Sequence, residues 1–305
     1  MFSLPKRQRD YFQYLVLIIP AVVIYTIFHV IPIMGDIKIA LTDALSPGTK
    51  GNFVGLHNFK ILLFSNMPQH EEFARAFFWT SIFWLGNWVL NILMGFGLAL
   101  ILYEKIELKR LFLVIIFLPY VVSNLAFGYI IRMILDPYNG AVNWLLLKSG
   151  LVRDPVFFLK EGLVASLTLI WVTGWKFAGF NLVLFLGGLV MVPRDTIEAA
   201  IIDGCSYFQR LFHVIIPQMW PTFIAVSVLC FTGTWQLFAL PVALSGTVSG
   251  GVKSIDVLAV VFYRWAFGGR EGIGLASAMM AILALFLFAG SVFSQYLVKK
   301  KTVEY

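Results

Sequence analysis

Residues 163–192 read LVASLTLIWVTGWKFAGFNLVLFLGGLVMV, and Lys176 is the only charged residue in this stretch. An α-helix rises about 1.5 Å per residue, so roughly 20 apolar residues cross the hydrocarbon core of a bilayer. The apolar residues are continuous rather than alternating, which favours a helix over a strand of a membrane barrel. The stretch therefore predicts a membrane-spanning helix.

The composition of the whole chain agrees with a lipid environment. Of its 305 residues, 60% are hydrophobic and only 13% are charged, whereas soluble domains carry roughly 25% charged residues. The mean hydropathy is +0.86. A soluble protein of this size leaves about a quarter of its unfolded surface exposed, which is too much for this composition. The same numbers exclude a disordered chain.

Five further stretches are long and apolar enough to cross a membrane as helices. The six predicted spans are 14–40, 73–103, 111–135, 163–192, 222–244 and 273–298. The sequence thus predicts an all-α integral membrane protein with six transmembrane helices in a single domain over residues 1–305. The first apolar stretch lacks a small-residue cleavage site, so we expect it to stay as an anchor.

Basic residues set the expected orientation, because they concentrate on the cytoplasmic side of membrane proteins. They are denser in the N-terminus, the second loop, the fourth loop and the tail than in the alternate loops. These residues are Lys6, Arg7, Arg9, Lys105, Lys109, Arg110, Arg194, Arg210, Lys299, Lys300 and Lys301. We therefore expect both termini in the cytoplasm, and the formal charge of +7 does not indicate nucleic acid.

The sequence offers no catalytic or energy-coupling site of its own. It has no Gly-Lys dipeptide and hence no phosphate-binding loop of the G-x-x-x-x-G-K-[ST] kind. The four histidines are scattered without metal-ligand spacing, and no chain of intramembrane carboxylates indicates a proton-driven pump. We predict a non-enzymatic protein that binds no cofactor or metal, so a transporter of this sequence must draw its energy from another polypeptide.

The fourth loop, 193–217, reads PRDTIEAAIIDGCSYFQRLFHVIIP. Two short helices are predicted within it. Asp195 is expected to cap the first helix and Gly204 to end it, since glycine adopts the left-handed conformation common at helix ends. Ser206 and Gln209 form a Ser-x-x-Gln capping box that starts the second helix.

One face of the first short helix is small and apolar. Ile197, Ala200, Ile201 and Gly204 recur at helical spacing. This face either packs against the protein's own helices or meets another protein, and the pattern alone leaves both interpretations open.

At this loop the sequence resembles the membrane subunits of binding-protein-dependent ABC importers. Their signature is Glu-Ala-Ala, three residues, Gly, nine residues and an Ile-x-Leu-Pro-like end. The corresponding residues here are Glu198, Ala199, Ala200, Asp203, Gly204, Val214, Ile215, Ile216 and Pro217. Val and Ile replace the usual Ile and Leu, which are conservative changes.

The resemblance extends over nearly the whole chain. It is carried by Phe53-Val54-Gly55-Leu56, Asn58-Phe59, Leu118-Pro119-Tyr120, Asn139-Gly140 with Asn143, Trp175-Lys176, Gly179-Phe180-Asn181 and Gly188-Leu189. This pattern is similar to the carbohydrate branch, and to the maltose-type first permease subunit. Trp79-Thr80 departs from it, because relatives often have Asn-Thr there.

The resemblance implies a coupling mechanism and a set of partners. The fourth loop would be a cytoplasmic coupling-helix hairpin between helices 4 and 5 that docks on an ATPase, which alone binds ATP and Mg. Glu198 would approach the ATPase and Gly204 would permit the turn. The implied partners are a second permease subunit, a cytoplasmic ATPase dimer, an extracytoplasmic solute-binding protein, a sugar and membrane lipid. The implied location is the bacterial cytoplasmic (inner) membrane.

The resemblance also implies residues that line the solute path. They are Tyr120, Asn124, Thr173, Lys176, Phe177, Thr234 and Gln236. Polar residues within a span are costly and tend to face such a path. Both threonine and asparagine also have structural interpretations. The Thr173 side chain could hydrogen-bond to its own helix, and the Asn124 side chain could hydrogen-bond to a neighbouring helix. Lys176 has two interpretations: it contacts an acidic sugar, or it pairs with a carboxylate on the second subunit.

The expected function is therefore that of a permease subunit of an ATP-driven importer for a sugar or oligosaccharide. A free-standing secondary transporter or channel for a small polar solute is the alternative, although no inverted repeat or ion relay supports it. A membrane enzyme such as a lipid-linked sugar transferase would need acidic or histidine residues clustered at one interface, and none is evident.

Overall fold

The computed structural model describes residues 6–104, 107–160, 162–246, 253–268 and 271–301. Within these ranges the chain is helical apart from its connections, and a single bridge between Thr42 and Phe53 is the only β pairing. Lys105, one of the basic residues used for the expected orientation, lies outside the described residues.

Fifteen α-helices follow one another in the described chain. They are α1 Lys6–Tyr25, α2 Ile31–Ala40, α3 His57–Phe64, α4 Pro68–Tyr103, α5 Lys109–Val121, α6 Asn124–Ile134, α7 Ala141–Lys148, α8 Leu163–Met191, α9 Arg194–Ile202, α10 Tyr207–Arg210, α11 Ile216–Gln218, α12 Trp220–Trp235, α13 Ala239–Ser245, α14 Leu258–Phe267 and α15 Ile273–Lys301. π-Helical turns at Thr26–Val30 and Leu211–Ile215 join α1 to α2 and α10 to α11.

Four described helices are long and apolar enough to cross a membrane. These are Val16–Ala40, Pro68–Tyr103, Leu163–Met191 and Ile273–Ser294. The number rises to six if each of two bent helix pairs is one span. These pairs are Lys109–Val121 with Asn124–Ile134, and Tyr207–Gln218 with Trp220–Trp235. The all-helical membrane architecture is thus as expected, and the six-span count stays a prediction.

The predicted third span is not one continuous helix. α5 and α6 meet at an angle of 98°, because the chain leaves the helical conformation at Val122 and Ser123. Ser123 then begins α6, and its side chain accepts a hydrogen bond from the amide of Ala126 at 3.3 Å. Pro119 lies inside the last turn of α5, where it removes one backbone donor.

The predicted fifth span, 222–244, is also interrupted. α12 ends at Trp235 and α13 begins at Ala239, so Gln236 caps a helix end instead of lying within a helix. α13 packs against α6. The two interrupted spans therefore contact each other through α6 and α13, a relationship that apolar length alone does not reveal.

The largest interhelical contact joins α4 to α8, and α5 packs along the other side of α8. Gly179 of α8 lies directly on the backbone of α5. A Cβ atom built there would be 2.5 Å from the carbonyl oxygen of Ile116 and 2.6 Å from Cα of Phe117. A side chain at this position therefore pushes two helix backbones apart.

We expect Gly179→Ala to lower the free energy of unfolding by about 1–3 kcal/mol, the usual effect of overpacking. Gly187, on the same helix, is a matched control because nothing lies within 4 Å of a Cβ built there. Gly187→Ala should be neutral, or stabilising by up to about 1 kcal/mol through helix propensity. Thermal unfolding of both variants in one detergent measures the difference, and equal midpoints would contradict the close approach of α5 and α8.

Candidate functional site

The 193–217 loop folds as a helical hairpin. α9 ends at Ile202, Asp203 is its C-cap, and Gly204 follows with φ +78°. The Gly204 amide donates to Ile201 O at 3.0 Å and the Cys205 amide to Ala200 O at 3.0 Å. This pair of bonds is the Schellman motif, so Gly204 ends the first short helix as predicted.

The start of the second short helix is also as predicted, whereas the start of the first is not. The Ser206 hydroxyl accepts from the Gln209 amide at 3.4 Å, and the Gln209 side chain accepts from the Ser206 amide at 2.7 Å. The prediction that Asp195 caps α9 is wrong. The cap lies two residues earlier, at Pro193, which makes no side-chain bond, and Asp195 lies in the first turn.

The hairpin buries only part of its apolar surface. Ala200 is 7% exposed, and Ile197 packs against the cluster of buried residues between α4 and α8. Ile201 and Ile202 are 51% and 85% exposed. Glu198, Ala199, Asp203, Gly204 and Pro217 are exposed. One side of α9 thus packs on the protein's own helices, and the other side is uncovered.

The second half of the hairpin adds to this uncovered surface. Phe208 and Phe212 are 68% and 60% exposed, and Tyr207 is also exposed. Hydrophobic residues exposed together on a loop are typical of a surface that contacts another protein or the membrane.

A cavity of about 150 Å³ lies between α4, α8 and α12. Its lining includes two of the predicted path residues on α8, Thr173 and Phe177, and Thr234 on α12. The Thr173 hydroxyl is buried and has no hydrogen-bond partner among the described residues. The interpretation that it bonds its own helix is therefore not supported.

Three asparagines form a hydrogen-bonded chain along this cavity. Asn181 donates to the side-chain oxygen of Asn91, Asn91 to the side-chain oxygen of Asn87, and Asn87 to the hydroxyl of Thr234 at 3.2 Å. The sequence interpretation did not single out these asparagines as site residues. The signal was available, since Asn87 and Asn91 are four residues apart within an apolar span.

A second, more open depression of about 500 Å³ lies where α5 meets α6. It brings together four of the predicted path residues, namely Tyr120, Asn124, Lys176 and Phe177. The Tyr120 ring stacks on Phe180 with ring centroids 4.9 Å apart and meets Phe177 edge-on at 5.7 Å. Since Phe177 lines both spaces, the cavity and the depression adjoin at this residue.

Gln236 is the predicted path residue that the structure places elsewhere. It is exposed, caps α12, and lines neither the cavity nor the depression. The interruption of the predicted fifth span is the reason, because Gln236 lies beyond the last helical turn.

Lys176 is 1% exposed, and its ammonium contacts backbone oxygens. It donates to Pro119 O at 2.9 Å, to Val122 O, and more weakly to Tyr120 O at 3.5 Å. No ion pair involves Lys176 within the described part of the chain. Among the same residues, no group of three His, Cys, Asp or Glu side chains is arranged to hold a metal ion.

Residues 91–303, which include the hairpin and the path residues, match the family described as "Binding-protein-dependent transport system inner membrane component". The chain is 28% identical over 273 residues to the trehalose/maltose transport system permease protein MalF of Thermococcus litoralis, with 89% of each chain covered. It is 26% identical over 290 residues to the sn-glycerol-3-phosphate transport system permease protein UgpA of Agrobacterium fabrum, covering 93% of this chain and 94% of that one.

A solved structure has the same fold. It is the crystal structure of a bacterial ABC transporter involved in the import of the acidic polysaccharide alginate. The TM-score is 0.81 at 22% identity, with 97% of this chain and 98% of that chain covered.

Proposed function

Because the chain belongs to the family of binding-protein-dependent transport system inner membrane components, we propose that it is the permease subunit of an ATP-driven importer for a sugar or oligosaccharide. The observation that carries this proposal is the family match over 91–303, which spans both the hairpin and the predicted path residues. The relatives named above are permeases for trehalose or maltose and for sn-glycerol-3-phosphate. Their common chemistry is a small polyhydroxylated solute.

The permease itself is not an enzyme, and we assign the hydrolysis of ATP to a separate cytoplasmic ATPase dimer that holds ATP and Mg. The 193–217 loop is its proposed docking site, through Glu198, Ala199, Ala200, Asp203, Gly204 and Pro217. The exposed apolar side chains Ile202, Phe208 and Phe212 support this role. A rigid hairpin can transmit the closure of the ATPase dimer as a rigid-body movement.

The remaining partners follow from the same proposal. The chain is an inner-membrane protein, and we infer that both termini are cytoplasmic, from the distribution of basic residues. A second permease subunit completes the path, and an extracytoplasmic solute-binding protein delivers the solute. The cavity and the adjoining depression supply hydroxyls, amides and aromatic rings, which are the groups that bind sugars.

The direct test is purification from native membranes in a mild detergent, followed by identification of the proteins that accompany the tagged chain. We expect a second membrane permease and an ATPase in stoichiometric amounts. Reconstituted with the cognate binding protein, this complex should accumulate labelled mono- or oligosaccharide only when ATP is present inside the vesicle. A chain that purifies alone and accumulates solute without ATP would refute the proposal and favour a secondary transporter.

Thr173→Val tests the solute path, because it removes a buried hydroxyl with almost no change of shape. We expect the solute concentration for half-maximal uptake to rise about three- to tenfold, as for the loss of one hydrogen bond, with no loss of thermal stability. Thr168→Val on the same helix is the control, since the Thr168 hydroxyl donates to Val164 O at 2.8 Å within its own helix. Equal uptake by the two variants would remove Thr173 from the path.

A further inference from the structure

Lys176 lies near the middle of α8, in the stretch that is otherwise free of charge. A lysine at this depth is costly unless its charge is compensated. The side chain is 1% exposed, so it offers almost no surface to a carboxylate on a solute or on a second subunit. The compensation has to come from the groups around it.

Those groups belong to the interrupted third span. An ammonium carries three donors, and those of Lys176 point at the carbonyl oxygens of Pro119, Tyr120 and Val122. Its nitrogen also lies 4.8 Å from the centre of the Phe127 ring on α6, within the range of a cation–π contact. Lys176 thus contacts both halves of the broken span.

The break explains why these oxygens are available. The last four carbonyls of a helix lack partners within it, and α5 ends at Val121 before the chain turns by 98°. Carbonyls exposed in this way within a membrane need a donor. A cation is the preferred one, because the end of a helix carries partial negative charge.

The geometry points to Lys176 as a positioning residue: its ammonium binds the carbonyls released at the break, fixes the turn between α5 and α6, and so places Tyr120 and Asn124 on the wall of the depression. The assignment of that wall to the solute path rests on the proposed function. The charge of Lys176 serves the protein's own backbone and is not a site for an anionic sugar.

The ring contacts support this arrangement independently. The backbone carbonyl of Tyr120 accepts a hydrogen bond from Lys176, and the ring of Tyr120 stacks on Phe180. Both contacts come from α8. Helix α8 therefore determines where Tyr120 lies, although Tyr120 belongs to a different span.

The test uses three forms of the intact complex, with lysine, methionine or glutamine at position 176. Lys176→Met fills the space without a donor, and Lys176→Gln restores a neutral donor without charge. Hydrogen exchange of peptides covering 117–127 should be about tenfold faster in Lys176→Met, which corresponds to the loss of a hydrogen bond to a charged group. Lys176→Gln should recover part of this protection, whereas peptides from 181–191 should not change.

A second measurement reports the position of the wall. In a Cys230→Ser background, Asn124→Cys provides a thiol at the depression, and the native Cys205 on the hairpin provides an internal control. The alkylation rate at position 124 should change about fivefold or more in Lys176→Met and return towards the parent rate in Lys176→Gln. The rate at Cys205 should stay constant in all three forms.

Unchanged hydrogen exchange over 117–127 would overturn the assignment. So would equal effects of Lys176→Met and Lys176→Gln on both the exchange over 117–127 and the alkylation rate at position 124. A general loss of protection, including 181–191, would also overturn it, because that result describes a residue required for the whole fold. Neither measurement depends on transport. Failure of the uptake experiment above therefore refutes the proposed function and leaves the positioning role to be judged by these data.

Discussion

Replacing Gly204 with valine is expected to lower ATP-dependent uptake by the reconstituted complex about tenfold or more, while the same change at Gly150 has little effect. Gly204 has φ +78°, a conformation that costs an ordinary residue roughly 1–2 kcal/mol and a β-branched one more. Nothing lies within 4 Å of a Cβ at this position. The damage therefore comes from the backbone turn and not from a steric clash.

Gly150 is a close match for Gly204 in every local respect. It has φ +71°, and nothing lies within 4 Å of its built Cβ. It also ends a helix with a Schellman motif, in which the Gly150 amide donates to Leu147 O at 3.1 Å and the Leu151 amide to Leu146 O at 3.2 Å. The two glycines differ in their position, since Gly150 precedes α8 and Gly204 follows it, within the hairpin.

Uptake and ATPase activity are to be measured for both variants in assembled complexes of equal yield. Gly204→Asn adds a rescue, because asparagine tolerates the left-handed conformation better than valine does. If the hairpin couples the ATPase to the path, the order of activity is parent, Gly204→Asn, Gly204→Val. Equal losses of uptake and ATPase activity in the Gly150 and Gly204 variants would mean that the substitutions act through stability. That result would contradict the docking role of the hairpin.

The hairpin is the part of the site that local sequence rules describe best. Ser206, Gln209 and Gly204 act through bonds to residues at most four positions away, so their roles could be read from the order of residues. Asp195 shows the limit of such reading. A proline directly before a helix competes for the same cap position, and the acidic residue then occupies the first turn.

The interruptions of the third and fifth spans could not be predicted from local sequence rules. Apolar length predicts a span but does not distinguish a straight helix from a bent pair, and membrane helices often tolerate a proline such as Pro119. The decisive interaction at the first break comes from Lys176, which is more than fifty residues away in sequence. A sequence pattern marks that lysine as unusual without naming its partner.

The buried ion cluster at the start of α4 was not predicted for a related reason. Asp256 and Arg264 are eight residues apart, but Glu72 lies 192 positions from Arg264 in the sequence, and none of the three forms a local pattern that indicates an ion cluster. Arg264 binds both oxygens of Asp256 and one oxygen of Glu72 at 2.6 Å. The indole of Trp265 donates to the other oxygen of Glu72 at 2.9 Å. The cluster thereby fastens α14 to α4.

Arg264→Met should be among the most destabilising single substitutions in the chain. Asp256 and Arg264 are 6% and 8% exposed, and removing one partner of a buried ion pair costs about 3–5 kcal/mol because the other charge stays buried. Arg75→Met is the matched control. Arg75 lies 4.0 Å from the same carboxylate of Glu72, but its side chain is 38% exposed, so its loss should cost at most about 1 kcal/mol.

The pH dependence of the stability lost in Arg264→Met shows whether the unpaired charge of Asp256 causes it. Burial raises the pKa of the Asp256 carboxyl, and Arg264 opposes that rise through its hydrogen bond and its charge. Without Arg264 the rise is larger, although the charge of Arg75 still opposes it, so the folded state of the variant binds a proton that the unfolded state releases. The stability of Arg264→Met relative to the parent should therefore fall as the pH rises above 3.8, the ordinary pKa of an aspartate.

Denaturant unfolding in one detergent at several pH values measures both effects, and the double variant Asp256→Leu/Arg264→Leu separates them from packing. Replacing a buried ion pair with apolar side chains is often neutral, so the double variant should recover most of the stability lost in Arg264→Met and lose its pH dependence. A double variant as unstable as the single one would show that the methylene packing of Arg264 matters more than its charge. That outcome would contradict the view that an ion cluster, not apolar contact, fastens α14 to α4.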